Sequence, residues 1–192
     1  MRSFLLITLC VLFFASPIFS QQEEKSIPDI SAWIEYMTPG EMHKLMQKDV
    51  GEWKTTIKFW TDPTSEPTVS HGHAKMEMVL GGRYLKSTHT GSNQDMPMEG
   101  ISYQAYDNST KEFVSTWIDN MGTGIMVTRG KYDPDTKACI LFGTTVDPML
   151  KKEVPVREIS KYINDDKMVM EMFVTYDGVE EKNMEIVFER IK

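Results

Sequence analysis

The sequence predicts an all-β protein: a single closed, antiparallel up-and-down β-barrel of about ten strands, preceded by a short N-terminal helix. Beyond Gly51, runs of about ten residues follow one another with no convincing helical pattern. Short turn sequences separate these runs, among them Gly81-Gly82, Asp107-Asn108 and Asp177-Gly178. Sequential strands joined by tight turns form a meander, and closure of a meander this long removes its exposed edges.

The first twenty residues, Met1–Ser20, are typical of a secretory signal peptide. Arg2 gives a minimal positive region, the segment from Phe4 to Ala15 is almost unbroken in apolar character, and Ser20 is a small residue before polar sequence. The run is short for a membrane span, which needs roughly 20 apolar residues. We therefore expect cleavage after Ser20, export to the periplasm or the exterior, and no stable membrane insertion afterwards. An uncleaved anchor is the alternative.

The charge balance argues against nucleic acid and anionic membrane surfaces as partners. The chain carries 21 basic and 28 acidic residues, a net charge of −7, and contains no basic cluster. Cys10 lies within the predicted signal peptide, so Cys139 stands alone in the expected exported protein, where no intramolecular disulfide can form. The stability of that protein must then come from its core.

Residues 21–37 are expected to form a mobile lead-in, and residues 38–192 the barrel domain. Thr38 suits the N-cap of a short helix, Pro39 its first position, and Glu41 completes a capping box with Thr38. An apolar stripe at helical spacing follows, formed by Met42, Leu45 and Met46. Through this stripe we expect the helix to cover one end of the barrel as a lid or plug.

Ten strands are expected after the helix, each bounded by turn residues. In order they are Glu52–Thr61, Val69–Leu80, Arg83–Gly91, Met98–Tyr106, Glu112–Asp119, Gly124–Tyr132, Ala138–Val146, Val154–Ile163, Lys167–Tyr176 and Asn183–Ile191. A barrel of this size either holds one small ligand or fills with side chains.

Gly51-Glu52-Trp53, at the start of the first strand, resembles the Gly-x-Trp motif of the calycin superfamily, which includes lipocalins and fatty-acid-binding proteins. In that superfamily the Trp plugs one barrel end, often against an Arg of the last strand. Here Arg190 lies on the last strand, in the same alternation as Ile186 and Phe188. The resemblance therefore implies a Trp53–Arg190 stacking pair at a barrel end, with Gly51 allowing a close turn of the backbone.

A larger part of the chain resembles the bacterial DUF1579 family, an uncharacterised calycin-like group. The matching motifs are VGEW, LGGRYL, MEGISYQAYD, FVSTWIDNMGTG and the closing MEIVFERI, which together extend roughly from Gly40 to Lys192. This resemblance implies the calycin-like barrel fold and brings no established activity. The related nitrobindins bind haem through a His near the C-terminus, and this chain has no His after His89.

Strand alternation predicts the side chains that line the barrel interior. These cavity candidates are Met76, Met78, Trp117, Met170 and Met172. Methionine adapts to irregular space and to varied apolar ligands, so a lumen of this kind suits a lipid-like or aromatic compound.

Two arginines are candidates for an inward-pointing anchor of a ligand carboxylate. Arg83 shares its alternation with Leu85, and Arg129 shares its alternation with Ile125 and Val127. A buried Arg needs an anionic partner. The alternatives are an internal ion pair, for example with Asp119 or Glu99, and a surface position at a strand end.

The sequence contains few patterns typical of metal binding or catalysis, and we expect no metal and no cofactor. Met76 and Met78 lie on the opposite strand face from His73, and His71 follows His73 outward unless the strand bulges at Gly72. These four soft donors are therefore not expected to converge on a metal. The sequence has no nucleophile elbow, zinc motif or phosphate loop. A pair of His89 and Asp119 across strands is one catalytic alternative.

The function that these observations favour is non-enzymatic. We expect an exported binding protein for a small apolar or amphipathic molecule. One alternative is an enzyme that acts on a hydrophobic substrate at the barrel mouth, and another is a structural barrel without a ligand. An open lumen favours binding, a perturbed carboxylate–histidine pair at its wall favours catalysis, and a filled lumen favours the structural alternative.

Overall fold

The computed structural model describes residues 30–93 and 96–192. It contains two short helices, α1 (Ile30–Met37) and α2 (Glu41–Gln47), followed by ten strands. The strands are β1 (Gly51–Phe59), β2 (Thr68–Val79), β3 (Tyr84–Asn93), β4 (Met96–Asp107), β5 (Glu112–Asp119), β6 (Met126–Asp133), β7 (Ala138–Asp147), β8 (Lys152–Asn164), β9 (Lys167–Tyr176) and β10 (Val179–Arg190).

The ten strands form a closed antiparallel barrel in which each strand pairs with its neighbours in the sequence. The barrel closes where β1 pairs with both β2 and β10. Trp53 begins the pairing of β1 with β10, where it lies opposite Arg190, and on its other side it lies opposite Ala74 of β2. The predicted fold class is confirmed.

Helix α1 lies within the segment for which the sequence predicted no regular structure. None of its side chains is buried. Its C-terminal end is held by Asn108, whose side-chain amide donates to the carbonyl oxygens of Glu35, Tyr36 and Thr38 at 3.1, 3.2 and 2.8 Å. These orphan carbonyls are thus satisfied from a turn 70 residues away in the sequence.

The start of α2 differs from the predicted capping box. Gly40, rather than Thr38, is the N-cap, and its backbone N–H donates to Nδ1 of His43 at 3.0 Å. The Thr38 hydroxyl instead donates to the carbonyl oxygen of Ile34 at 2.6 Å, so it is engaged at the end of α1. The prediction failed because Thr38 belongs to a helix end that the sequence did not reveal.

Strand boundaries differ most from the prediction in β10. This strand begins at Val179 rather than Asn183, and its register with β9 shifts between Lys182 and Met184. The irregularity at Asn183 interrupts the alternation and hides the first residues of the strand.

The two ends of the barrel are different, and we name them from their residues. The floor is the end that carries α2, Asp49, Trp53 and Arg190. The mouth is the opposite end, where β1 finishes at Phe59. None of the helices in residues 30–93 and 96–192 has the length and apolar character needed to cross a membrane.

Candidate functional site

The barrel encloses a cavity of about 840 Å³. Every one of the ten strands contributes lining side chains, and Leu45 and Met46 of α2 close the cavity at the floor. At the mouth the lining includes exposed side chains such as Val69, 55% exposed, and Met121, 42% exposed. The lumen is therefore closed at one end and reaches the protein surface at the other.

Trp53 fills the floor. Its side chain is only 1% exposed, and its indole N–H donates to the carbonyl oxygen of Asp49 at 2.9 Å. Phe188 meets the indole edge-on at 6.5 Å between ring centroids, and the Arg190 guanidinium lies 4.1 Å from the indole centroid. The arrangement is the stacking pair that the calycin resemblance implied.

Arg190 also ties the segment between α2 and β1 to the last strand. It donates to the carbonyl oxygens of Val50 and Lys48 at 2.7 and 2.6 Å. Gly51 lies beside it with φ +137°, and a Cβ at this position would come within 2.7 Å of the Arg190 Nη1 atom. Glycine is thus required at position 51 both for backbone conformation and for space.

Four of the five apolar cavity candidates line the lumen: Met76, Trp117, Met170 and Met172. Met78 lies close to the floor end of β2, where it packs against the buried core cluster and does not line the cavity. Strand alternation predicts the face on which Met78 lies, but it does not show how far along the barrel axis a side chain lies.

The predicted inward positions of Arg83 and Arg129 are wrong, because neither side chain lines the cavity. Arg83 is exposed in the turn before β3, where its Nη1 donates to the carbonyl oxygen of Leu80 at 3.1 Å. Arg129 is exposed on the outer face of β6, because Thr128 is the side chain buried on the inner face. The apolar neighbours that suggested an inward Arg129 are themselves 68% exposed at Ile125 and 41% exposed at Val127.

A carboxyl group, not a guanidinium, lies in the lumen wall. Glu158 of β8 lines the cavity and accepts a hydrogen bond from the Thr128 hydroxyl at 2.8 Å. Burial raises the pKa of Glu158, and the hydrogen bond from Thr128 opposes that rise. Glu158 falls in the same alternation as Val154, Val156 and Tyr162, so the sequence did contain the signal that places it inside.

A second carboxyl group lies at the floor of the cavity. Asp49 is 5% exposed, and its Oδ2 accepts from the Tyr162 hydroxyl at 3.0 Å, while its Oδ1 is buried without a hydrogen-bond partner. Burial raises the Asp49 pKa to about 7, although Tyr162, Arg190 and Lys48 each lower it. Asp49 stands between a helix and a strand, where nothing in the local sequence marks it as buried.

His89 and Asp119 occupy neighbouring parts of the lumen but have separate partners. His89 shares a hydrogen bond with the Ser87 hydroxyl at 2.7 Å, and burial lowers the His89 pKa to about 4. Asp119 accepts from the Trp117 indole and from the backbone N–H of Met121. The Trp117 ring lies 5.1 Å from the His89 ring between centroids, so the predicted catalytic alternative of a direct His89–Asp119 pair does not form.

The remaining potential ligands are dispersed. Burial raises the pKa of the Cys139 thiol to about 12, with Glu158 and Asp49 adding to the effect, so the thiol stays protonated. His73 faces outward, 3.4 Å from the Glu52 carboxylate, while Met76 faces the lumen. Within residues 30–93 and 96–192, no three His, Cys, Asp or Glu side chains converge as a metal site would require.

The charge of the lumen follows from its lining residues. The acidic members are Asp49, Asp119 and Glu158. His89 is the histidine inside the lumen, whereas His71 is exposed at the rim and its ring bonds to Thr56 on the outer face. No lysine or arginine lines the cavity within the part of the chain that the structure describes. The lumen therefore favours positive charge or hydrogen-bond donors over carboxylates.

Solved structures of similar fold include proteins of distant sequence. The M. tuberculosis protein Rv2717c has a TM-score of 0.60 at 13% identity, with 81% of this chain and 100% of that chain covered. The S-type phycobiliprotein lyase CPES from Guillardia theta has a TM-score of 0.53 at 9% identity, with 83% and 97% covered. At these identities the likeness extends to the barrel fold alone.

No curated protein matches the chain by sequence. A family model, described as protein of unknown function (DUF1579), matches residues 38–190, which comprise both α2 and the whole barrel. The chain is a member of the DUF1579 family.

Proposed function

We propose that this protein is an exported binding protein that holds a small apolar or amphipathic molecule in the lumen of its barrel. The observation that carries the proposal is the cavity of about 840 Å³, closed at the floor and open at the mouth. Ligand pockets in proteins typically have volumes of about 300–1,000 Å³ and mostly apolar linings. A purely structural barrel would be expected to fill this space with side chains.

The lining supports an amphipathic rather than a purely apolar ligand. One wall, from β9 and β10, is apolar and consists of Met168, Met170, Met172, Met184, Ile186 and Phe188. A polar belt runs around the rest of the lumen, formed by β3, β4 and β5 and by β8, which lies beside β9. Its members are Ser87, Ser102, Gln104, Ser115, Ser160 and Glu158. A ligand with one apolar face and one polar group would satisfy both walls at once.

The fold neighbours are compatible with this proposal. The barrel architecture occurs in a protein named as a phycobiliprotein lyase, so it is not confined to structural roles. The corrected positions of Arg83 and Arg129 remove the carboxylate anchor that the sequence suggested, and the binding proposal does not depend on it.

The binding proposal is tested with a neutral, fluorescent apolar probe, 2-naphthylmethanol, titrated into the purified protein and followed by calorimetry. Ser115→Trp places a large ring inside the lumen and should weaken binding at least about 10-fold, which corresponds to roughly 1.4 kcal/mol. Thr116→Trp adds the same ring to the neighbouring residue, which faces outward, and should leave affinity unchanged. Equal effects of the two variants, or no binding to the unmodified protein, would refute the proposal.

The identity of a natural ligand is best sought by native mass spectrometry of protein purified from its own host. A bound small molecule should appear as a fixed mass increment that is lost on denaturation. The same increment should be reduced in Ser115→Trp and retained in Thr116→Trp, which ties the retained molecule to the lumen.

Export is proposed from the sequence of Met1–Ser20, which lies outside the described residues. N-terminal sequencing of the protein recovered from its host should give a mature chain that begins at Gln21. A chain that still begins at Met1 would contradict both cleavage and the signal-peptide interpretation.

A further inference from the structure

We propose that the lumen selects ligands that carry a cationic, hydrogen-bond-donating nitrogen, such as a primary amine on an apolar body, with the carboxyl group of Glu158 as its acceptor. The inference rests on the proposed binding function, because it specifies the ligand class for the same cavity. A lumenal arginine would have favoured an anionic ligand, whereas Glu158 favours a cationic one.

The hydrogen bond from Thr128 orients Glu158 within the polar belt. Thr128 donates to one oxygen, Oε2, from the inner face of β6. An ionised carboxylate offers about four acceptor positions, so a single hydroxyl leaves most of its capacity for a ligand. Because Thr128 is itself only 1% exposed, it holds the carboxyl group in place without access to solvent.

The charges around the lumen favour a cation over an anion. Asp49, Glu158 and Asp119 line the cavity, and no lysine or arginine does so among the described residues. A ligand carboxylate would therefore meet like charge in a setting of low dielectric, whereas an ammonium group would meet opposite charge. The raised pKa of Glu158 has burial as its main cause, and a nearby cation would restore the ionised form.

A second, independent observation comes from the floor of the same cavity. The Oδ1 atom of Asp49 is buried and lacks a hydrogen-bond donor, while Tyr162 occupies Oδ2. An unsatisfied buried acceptor is costly, and such atoms in proteins usually indicate a missing partner. Asp49 and Glu158 line the same cavity, and the Tyr162 hydroxyl that bonds to Asp49 comes from the same strand as Glu158.

An ammonium group suits this region better than an alcohol or a metal ion. It supplies three N–H donors and a full positive charge, whereas an alcohol supplies one neutral donor. A metal ion would need several converging ligands, and no such group of three exists in residues 30–93 and 96–192. The apolar wall of methionines would then hold the carbon body of the amine.

The experiment uses three naphthalene probes that differ only in their polar group: 2-naphthylmethylamine, 2-naphthylmethanol and 2-naphthoate. Each is titrated into the purified protein by calorimetry at a fixed salt concentration and pH 7.5. We expect the amine to bind about 10- to 100-fold more tightly than the alcohol, the range for a hydrogen bond to a charged group. The naphthoate should bind most weakly.

Glu158→Gln is the decisive variant, because the amide oxygen can still accept from Thr128 while the charge is removed. It should reduce the amine-to-alcohol ratio to about 3-fold or less and leave the affinity for the alcohol unchanged. Glu153→Gln is the matched control: Glu153 lies on the outer face of the same strand and accepts from Thr144 at 3.1 Å. That variant should keep the full preference for the amine.

The outcomes separate the two proposals. If no probe binds, the binding function fails, and the inference fails with it. If the alcohol binds as well as the amine, or the naphthoate binds best, the cavity is a binding site but the inferred ligand class is wrong. If Glu158→Gln keeps the full preference for the amine, Glu158 is not the acceptor. A second variant, Asp49→Asn, should weaken the preference for the amine less than Glu158→Gln does.

Discussion

The floor and the mouth of the barrel are built from the same ten strands, yet they differ in what occupies the space between them. At the floor, α2 and Trp53 fill the interior, and the Arg190 guanidinium ties the entering chain to the last strand by donating to two backbone carbonyl oxygens. At the mouth, side chains such as Met121 remain exposed and the interior stays open. One sealed end turns the barrel into a pocket, so the densely packed floor and the open lumen lie at different ends of the molecule.

The ionisable groups also differ between the floor and the region above it, since one is an acid and the other is a base. Asp49 at the floor is a buried acid whose pKa is raised to about 7. His89, higher in the lumen, is a half-buried base whose pKa is lowered to about 4. Both shifts have burial as their main cause, and both favour the neutral form of the side chain.

Replacement of the floor tryptophan should have the largest effect on stability. Trp53→Ala removes a side chain that is 1% exposed together with its hydrogen bond to Asp49, and should cost about 3–5 kcal/mol. Trp117→Ala removes a ring that borders the open lumen, and should cost about 1–2 kcal/mol because less buried contact is lost. Chemical denaturation monitored by circular dichroism measures both. Equal losses would show that the floor has no special role in stability.

The pH dependence of stability should distinguish Asp49 at the floor from His89 higher in the lumen. The Asp49 pKa is raised from 3.8 to about 7, so its contribution to stability is fully present below pH 3.8 and is lost as the pH rises to about 7. Asp49→Asn removes the ionisable group and therefore the loss of stability at higher pH, while the amide oxygen can still accept from Tyr162. The stability of the variant relative to the unmodified protein should increase by about 2–4 kcal/mol between pH 4 and pH 7.5.

His89→Gln provides the control of opposite sign. The His89 pKa is lowered from 6.5 to about 4, so its contribution is present above pH 6.5 and is lost as the pH falls to about 4. The variant should therefore gain relative stability on acidification, whereas Asp49→Asn gains it on alkalinisation. Urea denaturation at several pH values tests both, and a difference that stays constant with pH would contradict the assigned shifts.

Strand alternation was sufficient to predict the barrel and much of its interior, because side-chain direction in a strand is a local property. Met76 and Met170 are examples of lining residues found in this way. Alternation failed at Arg129, because apolar Ile125 and Val127 lie on the outside while polar Thr128 is buried. Thr128 bonds to Glu158, 30 residues away in the sequence, and the local pattern of β6 does not reveal this pairing.

The contacts at the floor that could not be predicted from the sequence also join residues that are far apart in the chain. Asn108 completes the end of α1 from a distant turn, and Tyr162 bonds to Asp49 across 113 residues of sequence. Such contacts exist only after the barrel has closed. The fold could thus be predicted from local periodicity, whereas the acidic character of the site depends on which distant strands and turns meet.

The contribution of Arg190 to the floor can be measured apart from that of Trp53. Arg190→Lys keeps the charge but loses the planar fork that donates to Val50 and Lys48 and stacks on the indole ring. We expect a loss of about 1.5–3 kcal/mol, with the Trp53 fluorescence shifted towards that of a more hydrated indole. Arg129→Lys, on the exposed outer face, should change stability by less than about 0.5 kcal/mol.

The last comparison is between two glycines, one of which lies near the mouth. A Cβ at Gly100 would clash with the far end of the Trp117 ring, so the ring must shift into the lumen and strain its hydrogen bond to Asp119. Gly100→Ala should therefore cost about 1–2 kcal/mol and weaken the binding of 2-naphthylmethanol, because the displaced ring occupies ligand space. A Cβ at Gly130 would meet the backbone of Ile140, which cannot move aside, so Gly130→Ala should be far more destabilising. Denaturation midpoints and probe titrations of both variants compare them, and a large loss of stability in Gly100→Ala would mean that the mouth is as tightly packed as the floor.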